Sequence, residues 1–520
     1  MFLSILSSLL GILAFASFNF SYIFGFIFLA PLFIFILREE KLWRLLCGVF
    51  LFKIILSIAV FYFLFEPFGF IASIFIFLGF PAVIFLLKKA GVWINSRFGL
   101  DFHKAIVILS SPFLWIFFEN LQAKYSFVPV YFGNVGNIFG SSPFVGIAHI
   151  GGLNSLSFFA ILINILIAII AINLGLGVKI ANKTKNLSAA SIVAMIAIVF
   201  IAAGLGVSRN ELRKNADYYN NQRHVLKVGL VSNNSEFDAN FLIFKNNVFT
   251  DSEKKLADTM INEKLNLLRN DLINKKMDIL ILPEYMIDME IRNDADEEAL
   301  KKFNISDNGI LIKAYRKLAK ELNVSLAATI IAVRNNERYS STLLFNKDGE
   351  LVDVYDKSHL TFGSDYWPFG DWRPFYYSWA ENIIYSLNVN PKPDYRDAIF
   401  NKIYSLSPGK RKLLKNGDLH FASLICVEIH YPDEVEDLKY SGAQFISNVS
   451  SNRWISKGLK NYLYMTDNLR KIEAVWLETP ILINGRYDSA GIITPDGKMD
   501  AINFEAPGIN YALFTGEIRY

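Results

Sequence analysis

Three polar side chains stand where apolar, strand-like runs end in the second half of the 520-residue chain. They are Glu284 in "ILPEYM", Lys357 in "VYDKSHL" and Cys426 in "LICVEI". Taken singly, each has an ordinary interpretation: a strand-ending Glu is commonly a solvated turn residue, a hairpin Lys is commonly exposed, and a strand Cys is commonly inert core. The three types together allow a second interpretation.

That second interpretation is covalent acyl transfer by a thiol. A cysteine attacks as its thiolate and needs a base, which the Glu284 carboxylate could provide. The tetrahedral intermediate carries an oxyanion, which the Lys357 ammonium could stabilise. Cys426 is one of only two cysteines, neither has CxxC spacing, and the six histidines lack ligand spacing, so we expect neither a disulfide framework nor a metal centre.

Three segments, in chain order, carry a family resemblance. "LPEYM", "YDKSHLTFG" and "LICVEIHYPDE" resemble the signature segments of the carbon–nitrogen hydrolase (nitrilase) superfamily. The resemblance implies an αββα sandwich with Glu284 as general base, Lys357 as oxyanion-stabilising residue and Cys426 as nucleophile. It also implies that Glu428 supports the site. A second supporting glutamate of the family stands in a pattern like "FGEYxP"; here "FGSDYWP" makes Asp365 the nearest acid, offset by one residue and shorter by one methylene.

The elements that would position these residues alternate between strands and helices. From about His224, "HVLKVGLVS" predicts a strand, "DSEKKLADTMINEKLNLLRNDLI" an amphipathic helix, and "KMDILILPE" a buried strand. Further helices are predicted near 309–322 and 458–478. This alternation predicts a layered α/β domain.

The first half of the chain has a different composition. Up to Val207 it holds 12 Lys and Arg and 5 Asp and Glu, which leaves 40 and 43 for the remainder. Apolar runs of about 17 to 25 residues are what a helix needs to cross a bilayer. We therefore predict seven spans, at about 2–17, 20–37, 45–65, 68–87, 105–118, 154–176 and 189–207.

Basic residues predict the orientation of these spans. The loops after the second, fourth and sixth spans are rich in Lys and Arg and are expected in the cytoplasm. Within the spans, we expect Lys53 to snorkel toward the cytoplasmic end. Glu119 is expected either to snorkel into water or to pair with a head group or a basic residue. Small residues in "IGGLNSLSFF" favour close helix packing.

The predicted organisation is a multispan α-helical membrane domain at 1–207, a linker at 208–223 and an extracytoplasmic nitrilase-like domain at 224–520. In the first of these, "FFENLQAKYSF" and "VGIAHIGGLNSLSFFAILINILIA" resemble the membrane portion of the apolipoprotein N-acyltransferase family. Val427 replaces a common tyrosine, and a terminal membrane helix usual in the family has no counterpart in the final residues, so we expect a divergent or shortened member.

The resemblance implies a function in lipoprotein maturation. An acyl chain of a membrane phospholipid would pass through a cysteine thioester to the α-amine of the N-terminal diacylglyceryl-cysteine of an apolipoprotein. The reaction would need no cofactor. It would take place at the cytoplasmic (inner) membrane, with the catalytic domain on the outer (periplasmic) side.

An aromatic segment, "YWPFGDWRPFYYSWAENIIY" at 366–385, suits a membrane interface. We interpret it either as a substrate lid carrying Trp367 and Trp372 or as a loop packed on the sandwich.

Two rival functions remain at this point: a membrane-tethered amidase with the same triad, and a non-catalytic membrane protein with an inert nitrilase-like domain. The net charge of +4, without a basic stripe, disfavours nucleic acid as a partner.

Overall fold

The fold is taken from a computed structural model of the chain. The structure describes residues 1–60, 73–98, 103–125, 131–173, 224–233, 250–287, 291, 294–361, 365–366, 406–452, 459–502 and 511–520. Their contacts divide the chain into two units. The first comprises the described residues of Met1–Tyr218, Lys457–Glu478 and Pro495–Lys498, and the second comprises the others.

The first unit is built from apolar helices. Its helices before the second half of the chain are α1 Phe2–Ala14, α2 Tyr22–Gly25, α3 Ala30–Arg38, α4 Leu42–Val60, α5 Gly79–Phe98, α6 His103–Tyr125 and α7 Ala148–Asn173. Four described segments are long and apolar enough to cross a membrane: Leu42–Val60, Ser73–Arg97, Ile106–Tyr125 and Pro143–Ile172. The first two predicted spans correspond to shorter apolar helices, and the predicted span at 189–207 lies outside the described residues.

Lys53 does not snorkel, so that expectation was wrong. The side chain is buried in α4, where its ammonium donates a hydrogen bond to Oε1 of Gln122 at 3.2 Å. It also lies 3.7 Å from the ring centroid of Phe77. A hydrogen bond and a cation–π contact offset part of the desolvation of the charge, so Lys53 has partners inside the helical unit and need not reach water.

Glu119 likewise lies inside the first unit and does not snorkel into water. Its Oε1 accepts hydrogen bonds from the Val135 main-chain N–H at 2.9 Å and from the Trp115 indole at 3.3 Å. Its Oε2 accepts one from the Ser157 hydroxyl at 3.2 Å. The carboxylate therefore links α6 to the 3₁₀ turn Val135–Phe139 and to α7.

The first unit also contains a helix from far along the chain, α12, at Leu459–Trp476. The sequence pattern assigns α12 to the domain at 224–520, whereas its contacts place it in the first unit. There it packs where glycines allow the helices to approach closely. A Cβ on Gly140 would lie 2.3 Å from the Asn468 carbonyl oxygen, and one on Gly152 would lie 2.8 Å from the Trp476 ring. The Asn137 side-chain amide also donates to the Met465 carbonyl at 2.9 Å. The small residues of "IGGLNSLSFF" thus serve close packing, as predicted.

The second unit is organised around a twelve-stranded sheet. Its strands are β1 Val225–Asn233, β2 Ile279–Ile281, β3 Ser325–Arg334, β4 Glu337–Phe345, β5 Leu351–Asp356, β6 Leu414–Asn416, β7 Leu419–Ile425, β8 Phe445–Ser451, β9 Ile481–Arg486, β10 Ala490–Ile493, β11 Met499–Ile502 and β12 Tyr511–Arg519. The spatial order is β5-β4-β3-β2-β1-β9-β8-β7-β6, with β10 pairing with β9 and β11, and β12 with β1. The central pairs β3-β2-β1 and β9-β8-β7 are parallel, so their carboxyl ends share one edge.

Side-chain alternation separates two cores in this unit. Ile279 and Ile281 of β2 belong to a buried cluster that also holds Leu344 of β4 and Phe421 of β7, so strands from both halves of the path enclose it. Leu280, between them in sequence, belongs to a second cluster with residues of three helices. Because strand side chains alternate between faces, this pattern produces a sheet sandwich covered by helices, which confirms the predicted fold class.

The helices of this unit are α8 Asp251–Leu272, α9 Glu297–Phe303, α10 Gly309–Leu322 and α11 Pro432–Tyr440. Helix α8 begins at a capping box: Thr250 accepts from the Glu253 main-chain N–H, and the Glu253 side chain accepts from the Thr250 N–H at 2.9 Å. The predicted helix at 251–273 and the predicted helix near 309–322 are both confirmed.

Candidate active site

Glu284 follows β2 by three residues, at the carboxyl edge of the parallel strands. Its side chain is only 3% exposed. The next residue, Tyr285, has a φ of +49°, a left-handed conformation that a non-glycine residue adopts only where its surroundings impose it. The chain thus turns sharply directly after the carboxylate.

Cys426 occupies the corresponding position after β7. It is the first residue of a 3₁₀ turn, Cys426–His430, it is buried, and its φ is +55°. The side-chain amide of Asn448, on the neighbouring strand β8, donates to the carbonyls of Leu424 and Cys426, each at 3.3 Å. A strand that ends in a tight, braced turn holds the thiol in a fixed direction, which agrees with a nucleophile better than with an ordinary core cysteine.

Lys357 follows β5 and is 1% exposed. Its ammonium lies 2.7 Å from Oδ2 of Asp365 and 3.8 Å from Oε1 of Glu284. The Asp365 carboxylate is fixed in turn by the Thr361 main-chain N–H, which donates to Oδ2 at 2.8 Å. The offset and shorter acid of "FGSDYWP" therefore reaches the lysine.

One main-chain group connects Glu284 with Cys426. The Ser451 N–H, at the end of β8, acts on both the Glu284 carboxylate and the Cys426 thiol, and it opposes the rise in the pKa of each. Electrostatic interactions also join Cys426 to Lys357 and Asp365. The structure thus brings together Glu284, Lys357, Cys426 and Asp365 in one buried site.

Burial and mutual charge shift the protonation equilibria of the site. Burial raises the pKa of Glu284 to about 7, against the opposing effect of the Lys357 ammonium. Burial, together with the nearby Glu284 carboxylate, raises the pKa of Cys426 to about 12. The pKa of Lys357 is well above its usual value, because its carboxylate neighbours outweigh desolvation. At neutral pH the site therefore holds a thiol, a partly ionised carboxylate and an ammonium.

Glu428 joins the two loops that carry Cys426 and Lys357. Its Oε1 accepts hydrogen bonds from the Tyr355 hydroxyl at 2.6 Å and from the Ser358 main-chain N–H at 2.6 Å. Its Oε2 accepts from the Ile425 N–H at 2.7 Å. The buried carboxylate therefore fastens the residue before the cysteine to the residue after the lysine.

Two further residues at the site escaped the sequence analysis. Arg486 ends β9, is 1% exposed, and donates to the Tyr285 carbonyl at 3.2 Å. Ser451 acts through its main chain, which no side-chain pattern can reveal. A charged residue that closes an apolar strand was the signal that identified Glu284, and "ILINGR" contains the same signal for Arg486.

The predicted lid residues Trp367 and Trp372 lie outside the described residues. Among the residues that the structure does describe, no group of three or more His, Cys, Asp and Glu side chains is placed to hold a metal ion.

Two family models match the chain, and they match different parts of it. Residues 7–166 match the apolipoprotein N-acyltransferase N-terminal domain. Residues 252–498 match the carbon–nitrogen hydrolase family, and this range includes every described residue of the candidate site.

The curated relatives that are named apolipoprotein N-acyltransferase are distant from this chain in sequence. The apolipoprotein N-acyltransferase of Chlorobaculum tepidum is 22% identical over 383 residues, covering 70% of this chain and 63% of the relative. That of Agrobacterium fabrum is 23% identical over 248 residues, covering 46% and 41%. The chain thus matches less than two thirds of the length of these relatives.

Among solved structures, Nit3 of Saccharomyces cerevisiae, a nitrilase-superfamily member, aligns with 57% of this chain and 90% of its own at 15% identity and a TM-score of 0.36.

Proposed function

We propose that the chain is a member of the apolipoprotein N-acyltransferase family, because its two parts match the N-terminal domain of that family and the carbon–nitrogen hydrolase family. In this proposal it transfers an acyl chain from a membrane phospholipid to the N-terminal amine of a lipoprotein precursor. The observation that carries this proposal is the buried group of Glu284, Lys357 and Cys426, connected through the Ser451 N–H. Each member of the group has a separate role in the transfer.

In the first half-reaction Cys426 is the nucleophile. Its sulfur attacks the ester carbonyl of the phospholipid while Glu284 accepts the thiol proton. Before acylation the pKa of Cys426 is about 12, so its thiolate is scarce at neutral pH. Removal of the thiol proton must therefore accompany attack on the ester carbonyl. The Lys357 ammonium stabilises the oxyanion. Collapse of the intermediate breaks the C–O bond, Glu284 returns the proton to the leaving oxygen, and a lysophospholipid departs from a Cys426 thioester.

In the second half-reaction the α-amine of a diacylglyceryl-cysteine attacks the thioester carbonyl. Glu284 accepts a proton from the amine, the C–S bond breaks, and the sulfur recovers that proton as the amide product forms. Splitting the transfer into two steps lets one carboxylate serve both. Asp365 would hold Lys357 in place, and Glu428 would hold the two loops together.

The helical unit supports a membrane location for this chemistry. The four described segments of spanning length make the chain a membrane protein. We place it in the cytoplasmic (inner) membrane with the catalytic domain on the outer (periplasmic) side, because the basic residues of the first half predict that orientation. Both substrates are lipids anchored there, so a site carried by a multispan protein meets them in the same membrane.

The test is intact-mass spectrometry of the full chain after incubation with phospholipid. We expect an acyl-sized mass gain that is absent from Cys426→Ala and Glu284→Gln, and that a synthetic diacylated lipopeptide with a free amine discharges. A matched lipopeptide with an acetylated amine should leave the adduct in place. Absence of any adduct in the folded wild-type protein would refute the proposal.

The same experiment distinguishes hydrolysis from transfer. A membrane-tethered amidase would release ammonia from small amides and would lose its adduct to water at the same rate with or without the lipopeptide. An adduct that persists until the free-amine lipopeptide is added excludes that alternative.

A further inference from the structure

Arg486 is a cation buried at the edge of the candidate site. It ends β9, where it lies opposite Ser451 of β8 and Asn233 of β1 in the strand register. Its side chain is 1% exposed and is among the largest fully buried side chains of the described chain. Removing a guanidinium from water is costly, so a fold that retains one at this place must compensate it with specific interactions.

One such interaction is with the backbone next to Glu284. The Arg486 Nη1 donates to the Tyr285 carbonyl oxygen at 3.2 Å. Tyr285 is the residue in the left-handed conformation, and its carbonyl position depends directly on that conformation. The hydrogen bond therefore stabilises a turn that a tyrosine would otherwise disfavour, and this turn determines the direction of the preceding carboxylate.

A second hydrogen bond fixes the backbone of the arginine. Its carbonyl oxygen accepts from the Asn452 N–H at 2.9 Å, one residue after Ser451. Ser451 is the residue whose N–H contacts both Glu284 and Cys426. Arg486 thus contacts both segments that frame Glu284, one through its guanidinium and the other through its main chain.

We infer that Arg486 is a positioning residue for the proposed acyl transfer, which sets both the orientation and the charge state of the Glu284 base. The inference rests on the proposed role of Glu284 and adds a residue to it. The guanidinium does not need to contact the acyl group, because it acts through the Tyr285 carbonyl and through its electric field at the carboxylate.

The field of Arg486 acts among other charges. The Glu284 carboxylate faces Lys357 and Arg486, which favour its ionised form, and Asp365, which opposes ionisation. Within the described part of the chain, the phenol of Tyr285 and the thiol of Cys426 are further titratable neighbours. Since burial already raises the pKa of Glu284 to about 7, losing one of its two cations should shift it further toward the protonated form at neutral pH.

The test uses alkylation of Cys426 by iodoacetamide, followed by intact mass in the full-length protein between pH 5.5 and 9. This reaction needs Glu284 as base but needs no lipid. In the wild-type protein the alkylation rate should rise with increasing pH, and its midpoint should lie near the pKa of Glu284. Arg486→Gln should move that midpoint upward, and the reaction should be slower than in the wild-type protein at every pH below both midpoints.

Two further variants separate positioning from general damage. Arg486→Lys keeps the charge and should keep the midpoint, but its plateau rate should fall severalfold because a single ammonium cannot reproduce the planar guanidinium contact. In a Glu284→Gln background, Arg486→Gln should add no further loss, because both changes act through one carboxylate. If Arg486→Gln does not fold, the plateau rate of Arg486→Lys still tests the contact.

The possible outcomes distinguish a failure of the Arg486 role from a failure of the Glu284 base role. A wild-type midpoint and rate in Arg486→Gln, an Arg486→Lys protein identical to wild type, or an equal loss in the Glu284→Gln background would each overturn the inference. If alkylation of the wild-type protein proved insensitive to Glu284→Gln, the base role itself would fail, and with it the proposed mechanism. That result is distinguishable from the failure of Arg486 alone.

Discussion

The Lys357 ammonium lies 2.7 Å from the Asp365 carboxylate and is therefore closer to it than to Glu284, at 3.8 Å. Asp365 is thus the nearer counter-ion of the buried lysine, while Glu284 is left with a longer, weaker contact. A carboxylate that is paired too strongly with an ammonium would be a poor acceptor of the thiol proton. The division of one ammonium between two unequal carboxylates suits the proposed roles, with Asp365 as anchor and Glu284 as base.

Replacement of Asp365 by Asn should change rate and pH dependence in different ways. The negative charge of Asp365 raises the pKa of Glu284, so its loss should lower the pH midpoint of Cys426 acylation. The plateau rate should fall because Lys357 loses the anchor that orients it, and removing one partner of a buried pair should cost at most about 3–5 kcal/mol of stability. Asp365→Glu, which retains the charge, is the control for the midpoint. An unchanged midpoint in Asp365→Asn would contradict the assignment.

The rate of thioester formation should depend on the ionisation of Glu284. A base acts in its deprotonated form, and the pKa of Glu284 is raised to about 7, so acylation should increase as the pH rises through about 7. Below this value the protonated carboxyl cannot accept the thiol proton. The pH profile of single-turnover acylation measures this, and Glu284→Gln should remove the limb near 7. A profile that keeps this limb in the variant would assign the ionisation to another group.

Glu428→Gln should impair both folding and acylation. The carboxylate accepts from Tyr355 and Ser358 on one oxygen and from the Ile425 N–H on the other, and Gln replaces one of these acceptors with an NH2 group that cannot accept. Charge-assisted hydrogen bonds contribute about 1.5–3 kcal/mol each, so thermal unfolding should shift clearly downward. Tyr355→Phe removes a single donor and is the matched control, with a smaller expected shift. Equal melting temperatures for wild type and Glu428→Gln would refute the bracing role.

In the helical unit, Glu119→Ala should destabilise the protein far more than Asn120→Ala. The first change leaves donors of Trp115, Val135 and Ser157 without their acceptor, at a cost of ~1–3 kcal/mol for each buried unpaired group. Asn120 is its neighbour on α6; it makes a solvent-exposed hydrogen bond to Asn154 and accepts a partly buried one from Asn134, so its loss leaves fewer buried groups unpaired. Melting temperatures in one detergent compare the two. Similar melting temperatures would show that the carboxylate is dispensable.

The aromatic segment predicted as a lid can be tested through substrate size. Changing Trp367 and Trp372 to Ser should slow acylation by phospholipid vesicles but spare alkylation of Cys426 by iodoacetamide, because only the lipid must pass an interfacial lid. Parallel mass measurements with the two reagents provide the comparison. An equal loss with both reagents would instead indicate that the tryptophans support the fold of the site.

Sequence patterns predicted the second unit in considerable detail, because its determinants are local. The apolar run in "KMDILILPE" predicted β2 as a buried strand, and helical periodicity placed α10 at the residues where the structure has it. The pattern missed β12, whose residues 511–519 pair with the full length of β1. An antiparallel partner almost 300 residues away leaves no mark on the local sequence.

Long-range partners also explain what was missed at polar positions. Lys53 was expected to snorkel, and Glu119 either to snorkel into water or to pair with a head group or a basic residue. Their partners Gln122 and Ser157 lie 69 and 38 residues away along the chain. At the site, residue types predicted the group of Glu284, Lys357 and Cys426. The Ser451 N–H and the bridge made by Arg486 emerged only once the strands were placed side by side.

Helix α12 has a practical consequence for anyone dividing this protein into parts. A fragment cut at His224 would retain α12 but lose Asn137, Gly140 and Gly152, against which the helix packs. The same stretch of chain leaves the sheet after Ser451 and returns to it at Ile481, so an unsupported α12 would loosen the end of β8 that carries Ser451 and the beginning of β9. The shortest piece worth expressing for enzymology is therefore one that keeps the helical unit, even for assays that use only water-soluble reagents.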